Sequence, residues 1–554
     1  MNGDLLNHPN SYKAKNIDMK KNIKSTILVL ICLLTVTGCR KNFEKINTDP
    51  STYNPENFDP NYTLTSAQLG YSGSVDLGYE TWRANLIYSA TMIQGLSSVI
   101  GYWAGDKYLL DARYTAAYWG FPDGTPTGGV GAYPEQVRPI TDVMMVTKDK
   151  PKYKNLHQIS RIMRAMIFQR ITDLYGDVPY SDAGVGYYEQ KYYPKYDKQQ
   201  DIYMSLLKEV YEATAALDPA GDVATGDVYY GGNIQKWKRF GNSLLLRMAM
   251  RLSKVDPATA KSYVEKVIGN TMTGNDDNAF LTGDPVGGRI TANRNSQVLL
   301  GDGGEEHYYV KWSNTFINFL KSTDDPRLGK IAVTKLYLTA GSKDQNPGAN
   351  ADPAVQKGMP NGKDLSQVPN RGITLEPGYT GLPEYSSPSA ALLRRDGKTF
   401  VLTYAESELL LADAAQRFGI AGSAADHYRN GVKAAMTYLG QYDPAAAISE
   451  AVANAYVDAH PYNAANGLEM INTQYWALTN SKLDFYESWA NWRRTGFPVL
   501  TPVVYPGNAT NGTIPRRFPY PVLEAGSNTK NYNDAVSSIP GGDVLTSRVW
   551  WDKN

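Results

Sequence analysis

Few of the 554 residues are of types that do covalent chemistry, and their spacing excludes most of it. The histidines His8, His157, His307, His427 and His460 form no HExxH pair and no zinc-ligand spacing. Cys32 and Cys39, the only cysteines, both lie near the N-terminus. There is no Gly-x-Ser-x-Gly nucleophile elbow. The runs GDPVGG and GDGG lack the Lys-Ser/Thr of a phosphate loop and read as turns. Asn275-Asp276-Asp277-Asn278 lacks the glycine and distal glutamate of an EF-hand loop and reads as a solvated turn. A glycosidase needs two carboxylates flanking the scissile bond, and no spacing singles out such a pair. No catalytic group, metal or cofactor is expected.

Binding chemistry is better represented. Forty residues are Tyr, a side chain with an apolar ring and a polar tip. Residues 79–121 hold ten aromatics in 43 positions, about twice the chain average of 11%. Trp82 and Tyr88 lie in a helical stretch and read as core. Tyr102, Trp103 and Tyr108 sit beside Gly101 and Gly105 in a loop-like break, and Tyr118 and Trp119 precede a Gly-Pro-rich loop. A sugar ring stacks its C–H face on an aromatic ring and needs polar groups at its edge, here Asp106, Asp111 or Arg113. Tyr308, Tyr309 and Trp312 form a second candidate wall. The proposed ligand contacts are therefore Tyr102, Trp103, Tyr108, Trp119, Tyr308, Tyr309 and Trp312. The alternative for each is that a loop aromatic merely seals a helical scaffold.

The elements that must position these residues are mostly helices. Ile159, Ile162, Met163, Met166, Ile167, Ile171 and Leu174 line one apolar face, and Gly176 and Pro179 end it. Further helices are predicted near 80–99, 135–147, 199–217, 236–253 and 257–268. A second group falls near 401–418, 423–439, 445–458, 464–478 and 482–492. Short turns pair many of them as helix hairpins, so the fold class is mainly α, with a helical scaffold at 80–268 and 401–492. Residues 270–398 are rich in Gly and Pro and lack helical periodicity outside WSNTFINFLKS. They read as a loop-rich insert of ordered loops, short helices and small hairpins, the usual carrier of binding function.

The N-terminus reads as an address. Lys20, Lys21 and Lys24 precede an apolar run from Ile27 to Leu34, followed by Val36-Thr37-Gly38-Cys39. This is the layout of a signal peptide over residues 1–38, with Met19 an alternative start. A Cys directly after the small residues has the form of a lipobox, so Cys39 is the expected lipidation site. Residues 1–38 hold five Lys and two Asp, so cleavage changes the formal charge from +1 to −2, with 51 basic and 53 acidic residues. That balance argues against a nucleic-acid binder. Residues 39–60 read as a lipidated tether rich in Asn, Asp and Pro, and 61–554 as one domain.

These motifs together resemble the SusD/RagB outer-membrane lipoproteins of Bacteroidota, in the SusD-like 2 branch. The matching stretches include RITDLYGDVPYSDA at 170–183, WKRFGNSLLLRMAMRLSKVDP at 237–257 and FLKSTDDPRL at 319–328. TYAESELLLADAAQRFG at 403–419, FYESWANWRRTGFPVL at 485–500 and IPRRFPYP at 514–521 continue the order. The resemblance implies a tetratricopeptide-like helical-hairpin scaffold with a loop-rich lobe. It implies a non-enzymatic lipoprotein of the outer membrane, facing the exterior, that captures a nutrient glycan. Its partner would be a SusC-like TonB-dependent transporter. The alternatives are an oligopeptide-binding member of the family, a lipoprotein glycoside hydrolase, and a helical-repeat adhesion protein without a small ligand. Family members at the surface often carry acidic residues soon after the acylated Cys, whereas here Arg40, Lys41, Asn42 and Phe43 precede Glu44.

The lipobox reading predicts that Cys39→Ala abolishes lipid labelling and releases the protein from the membrane fraction. Fractionation checks this, and unchanged attachment would overturn it. One acyl chain anchors only marginally, so firm attachment requires more than one.

Overall fold

The computed structural model describes residues 58–73, 79–120, 129–286 and 291–553. Cys39 and the leader lie outside these residues. The unit from Pro60 onward is built on helices. Its α-helices of nine residues or more in the first half are α1 (Pro60–Ser72), α2 (Arg138–Thr147), α3 (Lys154–Tyr175), α4 (Gln199–Ala216), α5 (Ile234–Arg251) and α6 (Pro257–Glu265). After α7 (Asn314–Ser322) come α8 (Tyr404–Phe418), α9 (Ala424–Thr437), α10 (Glu450–Ala459), α11 (Gly467–Ser481), α12 (Phe485–Thr495) and α13 (Thr529–Ser537). Successive helices pack as hairpins: α3 on α4, α4 on α5, α5 on α6, α8 on α9, and α11 on α12.

Local sequence explains where these helices begin and end. Thr403 and Glu406 form a reciprocal capping box that starts α8, and Gly419 in the left-handed region (φ 65°) ends it. The Asp484 side chain caps α12, and Gly496 (φ 84°) closes it. The seven apolar positions singled out in α3 are all buried, at no more than 1% exposure. The chain is thus mainly α with paired helices, as the periodicity indicates.

Two expectations are corrected. The stretch 80–99 is not one helix. Thr81–Ala90 is wound as a π-helix, and a turn at Gln94 and Gly95 leads into strand β1 (Leu96–Ser98). The strands of the insert are not local hairpins. In chain order the strands after β1 are β2 (Val178–Pro179), β3 (Tyr196–Asp197), β4 (Ala279–Thr282), β5 (Val310–Trp312), β6 (Ala332–Val333), β7 (Ser387–Pro388) and β8 (Lys398–Leu402). They pair antiparallel as β1–β5, β2–β3, β4–β8 and β6–β7. The β1–β5 register sets Leu96 opposite Trp312 and stitches the insert onto the segment after the π-helix. Such distant pairing leaves no turn signature between the partners.

A buried ionic network ties the helices together. From α5, Arg247 pairs with Glu406 of α8, and Arg251 Nη2 lies 2.7 Å from Glu487 Oε2 of α12. Arg251 Nε also lies 3.2 Å from Asp173 of α3. The Tyr475 hydroxyl of α11 donates to Glu487 at 2.9 Å and lies 3.3 Å from Glu406. Lys482 pairs with Glu406 and lies 3.2 Å from Asp484. Beside it, Arg494 of α12 binds Asp413 of α8 at 2.8 Å. All these ionic groups are buried. Burying a lone charge is costly, so each helix can dock only where its charge meets a partner.

Burial alone would push the Glu487 carboxyl up, but Arg251 and Arg247 outweigh it and hold it below its ordinary range. Arg494 and Arg417 do the same against the burial of Asp413. The stability from these depressed carboxyls is present above their unfolded values, about 4, and is lost as pH falls through the folded values. Glu487→Ala takes from Arg251 its closest carboxylate, leaving Asp173 at 3.2 Å, and is expected to cost about 3–5 kcal/mol. Urea midpoints at neutral and acidic pH check both statements: the variant's deficit should be large at neutrality and shrink in acid.

Candidate functional site

The aromatic-rich stretch and the insert meet at one cleft of about 510 Å³. The π-helix supplies Trp82 and Arg83, and the loop after β1 supplies Gly101 and Tyr102. Tyr114 comes from the short helix Ala112–Thr115, and Gly303, Gly304, Glu305 and Tyr309 come from the insert. Leu365, 49% exposed, closes one side.

The backbone around the cleft is held by buried polar contacts. Asn85 on the π-helix donates to Leu483 O at 3.1 Å and accepts from Phe485 N at 3.1 Å, which joins the π-helix to the start of α12. Tyr486 donates to Glu80 O at 2.9 Å at the head of the same helix. Asp106, buried, accepts from Asn361 Nδ2 at 2.7 Å and from Gly362 N at 2.8 Å, and so fixes the loop leading to Leu365. Tyr88 accepts from Asp111 N at 2.7 Å, and Asp111 accepts from the amides of Arg113 and Tyr114. Asp106 and Asp111 are therefore engaged in structure, and Arg113 is exposed.

Within the cleft, Tyr102 stands edge-on to Trp82, with ring centroids 6.1 Å apart at 79°. Tyr102 is 40% exposed. The Arg83 guanidinium lies over Tyr79 at 4.9 Å and over Tyr114 at 5.3 Å. Tyr309 packs edge-to-face on Tyr308 at 4.9 Å. The arrangement offers half-exposed aromatic rings, one guanidinium and one exposed carboxylate, Glu305. It suits an uncharged polyhydroxylated ligand.

Of the seven predicted contacts, the fold brings Tyr102 and Tyr309 to the cleft. Tyr308 stacks behind Tyr309. Trp103, Tyr108 and Trp312 are fully buried and Trp119 retains 6% exposure, so the stacking expectation fails for these four. The Trp312 indole donates to Ile331 O at 2.9 Å and packs on Phe316. Trp119 fills a core aromatic cluster with Tyr133, Tyr175, Tyr196 and Tyr520. Tyr108 takes the amide of Val503 on its hydroxyl at 3.3 Å. Spacing does not single out Tyr114, Arg83 or Glu305, and helical context places in the core a Trp82 that lines the cleft. The GDGG run, read only as a turn, forms part of the wall. Its position directly before Glu305 and Tyr309 was the available signal.

A second cleft, of about 630 Å³, lies between the start of α4 and the C-terminal segment. Its cations Lys198, Arg517 and Arg548 are each paired with a carboxylate, and its tyrosines Tyr175 and Tyr520 are buried. The remaining cation of its lining, Lys553, is exposed, and no tyrosine presents an open face. Among the described residues no cluster of His, Cys, Asp and Glu could hold a metal, and no helix is long and apolar enough to cross a membrane.

Residues 89–521 match the SusD-like 2 family model, described as starch-binding and associating with the outer membrane. The chain belongs to this family. A solved chitin-binding protein is 34% identical, with a TM-score of 0.76 over 90% of this chain and 100% of that one. A SusD-like protein titled Bacteroidetes AC2a is 26% identical, with a TM-score of 0.75 over the same shares. A SusD homolog from Bacteroides uniformis, at 22% identity and a TM-score of 0.70, shares the fold. No curated protein matches the chain.

Lys311, on β5 beside the tyrosine pair, is fully buried and donates to Ser387 Oγ at 2.8 Å. Burial lowers its amine to about 7. The unfolded value is about 10.4, so the unfolded chain binds the extra proton across that window and stability rises with pH through it. Lys311→Met is expected to raise the melting temperature at neutral pH, with a gain that narrows towards about pH 10. A gain independent of pH would show that the charge is not the cause.

Proposed function

We propose that this protein is a surface-exposed outer-membrane lipoprotein, anchored through Cys39, that binds a nutrient glycan in the Trp82–Tyr102–Tyr309 cleft. It acts as a binding protein rather than an enzyme and delivers the glycan to a SusC-like TonB-dependent transporter. The observation that carries the reading is the cleft itself, where the half-exposed ring of Tyr102 faces an opening edged by Arg83 and Glu305. Aromatic faces take the C–H faces of sugars, and the charged edge takes hydroxyls or acetamido groups. The solved relative at 34% identity, titled a chitin-binding protein, makes a β-linked N-acetylglucosamine oligomer the first ligand to test.

The test is calorimetry with chitohexaose, cellohexaose, maltohexaose and a peptide pool, with product analysis by chromatography. Binding without shortened products supports the reading. Release of products would favour a hydrolase, and binding of peptide alone would favour the oligopeptide alternative. Tyr102→Ala is expected to weaken glycan binding about tenfold, near 1.4 kcal/mol, with little change in melting temperature. Trp103→Ala, next in sequence but buried, is expected to cost about 3–5 kcal/mol of stability instead.

A further inference from the structure

Glu306 opens the short helix Glu306–Tyr309 immediately behind the cleft wall, and it is fully buried. A carboxylate in such a place needs donors, because an uncompensated buried charge is costly. The other acids buried at 0% exposure, Asp106, Glu406, Asp413, all have a cation beside them. The side-chain donors to Glu306 are neutral: Tyr102 lines the cleft and Trp103 lies buried beside it. Tyr102 donates its hydroxyl to Glu306 Oε1, and the Trp103 indole Nε1 approaches the same oxygen at 3.5 Å. The Trp82 indole Nε1 and Glu306 Oε2 are both buried without a hydrogen-bond partner.

The glycine pair of GDGG lets this arrangement close. A Cβ on Gly303 would come within 2.6 Å of the Trp82 ring. A Cβ on Gly304 would come within 2.7 Å of Glu306 Oε2 and 3.1 Å of the Tyr102 hydroxyl. The backbone therefore lies against the carboxylate and both rings, and any side chain there would force them apart. Tyr102 is also the one member of this group that is well exposed. A half-exposed ring on a loop has no packing on its open face to hold it, so its tethered hydroxyl sets its pose.

We propose that Glu306 is the positioning residue of the cleft: its carboxylate clamps the Tyr102 hydroxyl, and the Gly303-Gly304 turn gives the clamp room to close. The ring of Tyr102 is then held edge-on to Trp82 before any ligand arrives, so the order is already in place when a sugar stacks. The part of this that concerns binding rests on the glycan reading above; the part that concerns the clamp does not.

The experiment has a ligand-free arm and a ligand arm. In the first, 3-fluorotyrosine is placed at position 102 and followed by fluorine NMR against pH. Burial and the bond to Glu306 push this hydroxyl well above the ordinary phenol value, and Tyr114 and Glu305 also face it. Glu306→Ala is expected to bring the titration back towards that of free 3-fluorotyrosine and to broaden the resonance. An unchanged titration and line width in Glu306→Ala would overturn the clamp.

In the second arm, chitohexaose affinity is measured for wild type, Glu306→Ala, Glu306→Gln, Tyr102→Phe and the Glu306→Ala/Tyr102→Phe double variant. Glu306→Ala is expected to weaken binding about five- to tenfold. Gln keeps an acceptor for the hydroxyl and should restore most of it. In the Tyr102→Phe background, Glu306→Ala should add almost nothing, because the bond is already gone. Additive losses, or a loss from Glu306→Ala explained by melting temperature alone, would overturn the positioning role. Gly304→Ala, which leaves both clamp residues intact, serves where Glu306→Ala does not fold and should reproduce its effect on the fluorine signal. Failure of the wild type to bind chitohexaose would count against the glycan reading, and the fluorine arm would still decide the clamp.

Discussion

The structure turns on the requirement that charges buried between its helices meet partners in place. Arg247 and Arg251 project from α5 into carboxylates carried by α3, α8 and α12, with Tyr475 of α11 bridging Glu406 and Glu487. A purely apolar interface tolerates sliding by a turn. This one does not, since a shift would strand several ions at once in a dry interior. The network therefore sets the register of the two groups of hairpins, although they lie more than a hundred residues apart in the chain.

The candidate cleft inherits its geometry from that scaffold. The start of α12, fixed by the network, holds the π-helix through Asn85 and Tyr486. The π-helix carries Trp82 and Arg83, and the antiparallel pairing of β1 with β5 brings the insert and Tyr309 to the same opening. A glycan binder benefits from such a chain of support, because a preformed aromatic wall loses little freedom on binding. Rigid elements thus place side chains that sit mostly on loops.

Neighbouring residues show how sharply the fold sorts aromatics. Tyr102 is 40% exposed, while Trp103 beside it is fully buried. Tyr309 lines the cleft, while Trp312, three places after it on the adjoining strand, donates its indole to a backbone carbonyl in the core. Composition and spacing mark both stretches as aromatic-rich, but a ring that seals a core and a ring that awaits a ligand have the same local chemistry. Trp82 is the reverse case: helical context suggested core, yet the missing cover above the π-helix leaves one edge open.

The amino-acid sequence by itself determined the helical class, the long apolar face of α3 and its stop at Gly176 and Pro179, the looped character of 270–398 and the family. Each is written in neighbouring residues: periodicity follows from 3.6 residues per turn, and a helix stop from the glycine and proline at its end. Tertiary structure alone decided which aromatics meet solvent, that Glu306 lies behind Tyr102, and that β1 pairs with β5. Those outcomes depend on contacts between segments some two hundred residues apart, such as the 204 positions separating Tyr102 from Glu306. No local pattern encodes them, because exposure is a property of what the rest of the chain leaves uncovered.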